Sequence, residues 1–199
     1  MKRLINAICL AAAGIVWIGL GVPLYAQGVN NAILVNPPAD SWPSYHGDYT
    51  GRRHSELTQI TPENVDQLGL AWAFQTGQRA VIKSSPLLVD GILYFTVPNN
   101  VWAVDARSGH QIWHYTYPQN NGFYIGQRGV AMYKDWLFFT TPDAHLISLD
   151  AKDGEVRWNV VIADAKKGYW TTMSPLVVGN HVIIGVSGDF DNLRGYLRA

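Results

Sequence analysis

Few side chains in this 199-residue chain stand in the patterns that chemistry at a site requires. The six histidines lack the spacing of a metal site, so they predict ordinary surface or strand residues. The single cysteine is Cys9, and no disulfide, zinc-thiolate site or haem-attachment motif follows it, which excludes cysteine chemistry. Asp105 and Asp150 recur at an offset of 45 residues, which indicates turn formers rather than catalytic carboxylates. No pattern indicates a general base.

Those aspartates belong to an internal repeat of about 45 residues. Residues 105–113 (DARSGHQIW) match residues 150–158 (DAKDGEVRW), with Asp, Gly and Trp each displaced by 45. Residues 85–91 (SPLLVDG) return as 174–180 (SPLVVGN), and 129–135 (GVAMYKD) lie halfway between them. Separate parts of the unit agree on one period, so the repeat is a structural one.

Each repeat predicts four short strands joined by tight turns. Residues 92–96 and 102–105 alternate in polarity, and Gly109 supplies the positive φ of a tight turn. Four strands in about 45 residues make one propeller blade, and Trp113 or Trp158 fills the gap between neighbouring blades. We predict an all-β fold, a β-propeller of four-stranded blades with tryptophan-docking repeats, of which about two and a half blades are present. Because a propeller needs at least four blades to close, we expect the front of a longer chain or a fragment.

The composition narrows the class of partner. Charged residues make up 15% and apolar residues 48% of the chain, which excludes a disordered or coiled-coil protein. With 15 basic and 15 acidic side chains the formal net charge is zero, so nothing predicts the basic surface that a nucleic-acid partner requires.

The N-terminus predicts a targeting segment rather than part of the fold. Lys2 and Arg3 precede an uncharged apolar run over 4–24, and Ala26 is a small residue suited to cleavage. We therefore expect export; the alternative is an uncleaved membrane anchor. The expected organisation is a signal peptide over 1–26, an N-terminal segment over 27–79 and the start of a truncated propeller over 80–199.

Several stretches together resemble one known family. They are the N-terminal motifs at 42–45 (WPSY), 57–60 (LTQI) and 68–72 (LGLAW), the tryptophan-docking repeats at 103–113 and 148–158, and the stretches at 185–188 (GVSG) and 194–197 (RGYL). On these motifs residues 40–199 resemble the N-terminal part of the pyrroloquinoline-quinone (PQQ) dependent alcohol dehydrogenases, the methanol and ethanol quinoprotein group. The resemblance implies an eight-bladed propeller that holds PQQ near its axis beside Ca²⁺ or a lanthanide ion. It also implies oxidation of a primary alcohol in the periplasm, with electrons passed to a cytochrome c.

The resemblance also assigns cofactor-binding residues. Because PQQ carries three carboxylates, its site needs cations and hydroxyl donors. Arg128 matches the family arginine that contacts the quinone, and Thr172 matches a threonine donor to a carboxylate. Ser187 and Gly188 match the next cofactor-contacting loop. The family's carboxylate base and the tryptophan under PQQ are expected beyond Ala199, so the fragment alone is expected to be inactive.

Three departures from the family pattern alter this site. The adjacent cysteines that cover one face of PQQ are absent, and the hypothesis is that Phe123 stacks on the ring instead. Lys83 stands where relatives have an acidic contact, and we expect it to pair with a PQQ carboxylate. Phe190 stands at the position of the metal-binding glutamate. Asp189 and Asp191 flank it as candidate metal ligands, although strand alternation points both away from the direction that Phe190 faces.

Two other functions fit parts of the pattern. A non-catalytic propeller scaffold would share the tryptophan repeats but would need no convergence of Arg128, Thr172 and Ser187. A quinoprotein dehydrogenase for sugars or aldehydes would build its substrate pocket from other parts of the protein. The relative positions of those three side chains distinguish the scaffold from the enzyme.

Overall fold

The fold is built almost entirely of antiparallel strands. The computed structural model describes residues 28–118, 126–188 and 192–199, and within these ranges the chain forms eleven strands. The strands make two four-stranded sheets and one three-stranded sheet. The prediction of an all-β protein built from four-stranded units is confirmed.

The first sheet contains strands β1 (Leu87–Val89), β2 (Ile92–Val97), β3 (Asn100–Asp105) and β4 (Gln111–Thr116), hydrogen-bonded in that order. A tight turn joins β1 to β2, in which Asp90 and Gly91 adopt φ of 54° and 75°. Positive φ at both central residues gives a turn whose twist matches that of the strands it joins.

The second sheet contains strands β5 (Ala131–Tyr133), β6 (Trp136–Thr140), β7 (His145–Asp150) and β8 (Val156–Val161), in the same order. Its register repeats that of the first sheet. The β3–β4 pairing shifts between Ala103 and Val104, and the β7–β8 pairing shifts between Ser148 and Leu149, one repeat later. Such bulges increase the local twist of a sheet. Because the strand order and the position of the bulge both repeat, the two sheets are copies of one blade.

The third sheet contains β9 (Leu176–Val178), β10 (His181–Val186) and β11 (Tyr196–Arg198), with β10 in the centre. Outside the sheets lie helix α1 (Asn31–Val35) and the 3₁₀ helices Val65–Gln67 and Ala165–Lys167. In the part of the chain that the structure describes, no helix has both the length and the apolar character needed to span a membrane.

Tryptophans join successive units. Trp113 Nε1 donates a hydrogen bond to Ala151 O over 2.9 Å, and a Cβ on Gly154 would lie 2.6 Å from the Trp113 ring. Trp72 packs in the same way one unit earlier, because a Cβ on Gly109 would lie 2.6 Å from its ring. Each turn glycine is therefore needed twice, for its positive φ and for the space that the indole occupies. The predicted packing role of Trp113 is confirmed, and Trp72 belongs to the same set.

Residues 28–50 run across the first strands of all three units. Val29 forms a β-bridge with Lys134 next to β5, and Trp42 forms a β-bridge with β1. The hydroxyl of Tyr49 donates to a backbone carbonyl of β9. Since a first strand is an edge strand whose outer backbone groups need partners, this segment both satisfies those groups and ties the three units together.

Candidate functional site

Three chain segments that each precede a first strand lie side by side. They are residues 81–85, 126–130 and 170–175, here called the leading segments. The Ser85 N–H donates to Arg128 O over 3.0 Å, and the Arg128 N–H donates to Thr172 O over 2.9 Å. Because the segments occupy the same place in successive repeats, the repeat brings their side chains together at one end of the blades.

The side chains of Arg128 and Thr172 meet across two leading segments. Arg128 Nη1 donates to Thr172 Oγ1 over 2.5 Å, between residues that are 44 apart in the chain. Thr172 is buried, whereas Arg128 is exposed. A guanidinium carries five N–H donors and this bond uses one, so Arg128 retains donors for an anion.

Lys83 lies against the second leading segment. A Cβ on Gly126 would lie 3.0 Å from Lys83 Cγ and 2.8 Å from Val81 O, so the close approach requires glycine there. Across residues 28–118, 126–188 and 192–199, neither Lys83 nor Arg128 forms an ion pair with a carboxylate. Two cations without acidic partners are suited to binding an anion.

Ser187 and Gly188 follow β10 and lie next to the third leading segment. Ser187 and Trp170 exchange two backbone hydrogen bonds of 2.9 Å each, two residues away from Thr172. Gly188 is buried, and a Cβ there would lie 2.5 Å from the Leu193 Cβ. The fold therefore brings this loop to the segment that carries Thr172.

The remaining predicted site residues, Phe123, Asp189 and Asp191, lie outside the described residues, as does Phe190. Their roles stay predictions. Within the described ranges, no group of three or more His, Cys, Asp or Glu side chains is arranged to hold a metal ion.

The site also includes two polar residues, Arg53 and Gln127, that the sequence analysis did not single out. Arg53 Nη2 donates to Ser85 Oγ over 2.8 Å, which places a third cation beside the first leading segment. Gln127 Nε2 donates to Thr171 O over 3.0 Å, which adds a side-chain link between the second and third leading segments. Arg53 lies in a loop where no sequence motif marks it. The only sequence signal for Gln127 is its position next to Arg128.

A cavity of about 530 Å³ borders the site, between residues 43–49 and the strands β5 and β9. Its walls are largely apolar and include Met132, Met173 and Val177, and Arg128 also contributes to them. An anion held by Arg128 would therefore border apolar space.

The donor set of the leading segments fits PQQ in chemical type. Arg128 and Lys83 provide positive charge without carboxylate partners in the described ranges, which a tricarboxylate needs. Thr172 and Ser187 provide hydroxyl donors on adjoining segments. The residues present are therefore compatible with the cofactor that the sequence resemblance implied.

Fold and site together define a class of protein, a β-propeller with tryptophan-docked blades and a cationic, hydroxyl-bearing set of leading segments. Comparison with known proteins identifies the family. Residues 42–195 match the family model described as "PQQ: Glucose/ethanol/alcohol dehydrogenase, beta-propeller domain". The chain belongs to this family, and the resemblance inferred from the sequence motifs is confirmed.

Relatives of this chain include proteins named as alcohol and methanol dehydrogenases. The chain is 35% identical over an alignment of 208 residues to the quinohemoprotein alcohol dehydrogenase ADH-IIG of Pseudomonas putida. The alignment covers 100% of this chain and 29% of that protein. It is 35% identical over an alignment of 204 residues to the lanthanide-dependent methanol dehydrogenase of Methylacidiphilum fumariolicum. That alignment covers 98% of this chain and 33% of that protein. The chain thus spans about a third of the length of these relatives.

Solved structures agree with this assignment. A structure of quinohemoprotein alcohol dehydrogenase ADHIIG from Pseudomonas putida superposes with a TM-score of 0.80 at 34% identity, covering 87% of this chain and 27% of that chain. A europium-containing methanol dehydrogenase superposes with a TM-score of 0.75 at 35% identity, covering 80% of this chain and 30% of that chain. The described strands are therefore a partial propeller of this family.

Proposed function

We propose that this chain is the N-terminal part of an exported PQQ-dependent dehydrogenase that oxidises a primary alcohol and passes electrons to a cytochrome c. The observation that carries the proposal is the contact of Arg128 with Thr172 across two blades, with Lys83 and Ser187 on adjoining segments. A non-catalytic scaffold needs no such convergence, so the geometry favours the enzyme. Relatives named as alcohol, methanol and 1-butanol dehydrogenases support the substrate class.

The side chains of this chain act by binding and orienting the cofactor. PQQ with its Ca²⁺ or lanthanide ion supplies the two-electron oxidation chemistry when bound. Arg128 and Lys83 hold the cofactor carboxylates by charge, and Thr172 and Ser187 add hydroxyl donors that fix the orientation of the ring. The close packing at Gly126 and Gly188 keeps these segments in place.

The remaining parts of the proposal rest on the sequence. Phe123 would cover one face of PQQ, and Asp189 or Asp191 would contribute to the metal site. Residues 1–26 would direct export to the periplasm, with a membrane anchor as the alternative fate of this segment. Two relatives are named with cytochrome c, a 1-butanol dehydrogenase of Thauera butanivorans and a methanol dehydrogenase subunit of Methylobacterium organophilum, which supports the proposed electron acceptor.

Reconstitution of the full-length protein tests this function. The apoprotein is titrated with PQQ in the presence of Ca²⁺ or a lanthanide ion, and dye-coupled oxidation is measured with primary alcohols, sugars and aldehydes. We expect saturable PQQ binding and PQQ-dependent dye reduction with primary alcohols. Absence of PQQ binding would indicate the scaffold, and turnover of sugars or aldehydes without alcohols would indicate the other type of quinoprotein.

A further inference from the structure

Gln127 is a buried amide directly beside the exposed Arg128. Its side chain is only 1% exposed, and its Nε2 donates to Thr171 O over 3.0 Å in the third leading segment. Thr171 is also 1% exposed, and its Oγ1 donates to Gly185 O in β10 over 2.8 Å. The two bonds form a continuous line, here called the Gln127–Thr171 brace, from the second leading segment to β10; its first bond is buried and its second partly buried.

The brace lies behind the residues that the proposed function assigns to the cofactor. Gln127 precedes Arg128, Thr171 precedes Thr172, and Gly185 lies two residues before Ser187. Gln127 and Thr171 are each 1% exposed, whereas Arg128 is exposed. The brace therefore joins the segments through buried residues, while the contact with Thr172 joins them through the exposed side chain of Arg128.

We infer that Gln127 is a positioning residue for the proposed PQQ site, an inference that rests on the proposed function. Through Thr171 and Gly185 it sets the relative positions of Arg128, Thr172 and Ser187, and it does not itself contact the cofactor.

A buried amide is costly unless its hydrogen bonds are used, so an apolar side chain would fill this position at lower cost if packing alone mattered. Among the described residues Gln127 Oε1 has no hydrogen-bond donor, whereas Nε2 bonds Thr171. The donor function of the amide is therefore the part that the structure uses. Backbone bonds already join the two segments at Arg128, so the brace adds alignment to a connection that exists without it.

The test compares Gln127→Met with Ser174→Ala in the full-length protein. Methionine keeps the length of the side chain and removes both polar atoms. Ser174 is a matched control because its Oγ donates to Val130 O over 3.0 Å between the same two segments, and it is likewise buried. The measurements are the Kd for PQQ, from quenching of tryptophan fluorescence, and the melting temperature of the apoprotein.

We expect both variants to lower the melting temperature by similar amounts, while Gln127→Met alone raises the Kd about tenfold. Equal Kd values for Gln127→Met and the wild type would overturn the positioning role and leave the proposed function intact. Failure of the wild type to bind PQQ would overturn the proposed function itself.

A second variant covers the case in which Gln127→Met does not fold. Thr171→Val keeps the shape of the side chain and removes the hydroxyl that bonds Gly185. We expect this variant to raise the Kd for PQQ several-fold, although Arg128 and Thr172 themselves are not substituted. A Kd equal to that of the wild type would show that the line from Gln127 to β10 does not position the site.

Discussion

Arg128 and Thr172 share a 2.5 Å hydrogen bond although they belong to different blades and lie 44 residues apart in the chain. The bond joins a cation to a hydroxyl, and a backbone bond of 2.9 Å between the same residues supports it. The hydroxyl of Thr172 is thereby oriented by a guanidinium that itself remains exposed. This pair is the centre of the proposed cofactor site.

The Thr172 hydroxyl should contribute directly to PQQ affinity. Thr172→Val keeps the shape of the side chain and removes the hydroxyl, and hydrogen bonds to charged groups contribute about 1.5–3 kcal/mol. We therefore expect the Kd for PQQ to rise about 10- to 100-fold, measured by fluorescence titration. Thr172→Ser retains the hydroxyl and should stay close to the wild type. Weakening by serine but not by valine would mean that the methyl group, not the hydroxyl, matters.

Reversing the charge of Lys83 should weaken the binding of PQQ. Lys83→Glu replaces an attractive contact with a repulsive one beside a tricarboxylate, so we expect at least a tenfold higher Kd at low ionic strength. The loss should shrink as salt is added, because exposed charges are screened. Lys152→Glu makes the same charge change in the β7–β8 turn and should leave the Kd unchanged. If both variants weaken binding equally, only the net charge of the protein is involved.

Adding a methyl group at Gly154 should destabilise the contact between the first two blades. The new Cβ would lie 2.6 Å from the Trp113 ring, and the residue has φ of 77°. Positive φ costs a non-glycine residue about 1–2 kcal/mol, and overpacking adds about 1–3 kcal/mol. Unfolding of Gly154→Ala by urea, followed by tryptophan fluorescence, should therefore show a loss of about 2–5 kcal/mol.

Gly179→Ala is the control for that variant. Gly179 has φ of 60°, but a Cβ there would meet nothing within 4 Å. We expect it to lose only the backbone contribution of about 1–2 kcal/mol. Equal losses at Gly154 and Gly179 would show that the Trp113 ring shifts without cost.

Removal of Arg157 should destabilise the second blade, and the loss of stability relative to the wild type should be larger at neutral pH than at low pH. Hydrogen bonds from Arg157 hold the pKa of Asp135 below its ordinary value. Burial raises the pKa of Asp150, but hydrogen bonds and the charge of Arg157 outweigh it, so the net shift is also downward. Groups with a lowered pKa contribute stability above their unfolded pKa of about 4, and that stability is lost as the pH falls through the folded pKa.

Arg157→Met keeps an apolar side chain but removes the guanidinium, whose Cζ lies 4.6 Å from the centroid of the Trp136 ring. We expect a loss of about 1 kcal/mol or less at pH 7, because the Asp135 side chain is 61% exposed and its charge is screened. The difference from the wild type should shrink in thermal melts below about pH 3, because both carboxylates are then protonated and only the lost contact with Trp136 remains. Lys167→Met removes a more exposed cation, whose contact with Asp164 is 3.9 Å, and should have no measurable effect. A loss for Arg157→Met that is independent of pH would assign the whole effect to the contact with Trp136 and none to the two carboxylates.

Local features of the sequence were sufficient to predict the blades. Asp105 Oδ1 accepts a hydrogen bond from the Ser108 N–H over 2.7 Å, and Asp150 Oδ1 accepts one from the Lys152 N–H over 2.9 Å. Both aspartates are the turn formers that their spacing predicted. Strand alternation, tight turns and tryptophan spacing act over a few residues, so they can be recognised without knowledge of the tertiary structure.

The contacts between blades required the tertiary structure. Trp72 docks on the turn at Gly109 although it lies before the first recognised repeat, and the motif at 68–72 did not assign it a packing role. Arg53 reaches Ser85 from a loop 32 residues earlier in the chain. Gln127 reaches Thr171 from the neighbouring blade. These partners are distant in sequence, and their meeting depends on the angle at which blades stack.

The sequence by itself determined the all-β class, the repeat of about 45 residues and, through motif resemblance, the family. It also predicted Arg128, Thr172 and Ser187 as cofactor-binding residues. Only the tertiary structure decided that Arg128 contacts Thr172, that Lys83 packs beside Gly126, and that the Gln127–Thr171 brace supports them. The physical reason is that turns and strands follow from neighbouring residues, whereas a site assembled from successive blades exists only when their leading segments pack side by side.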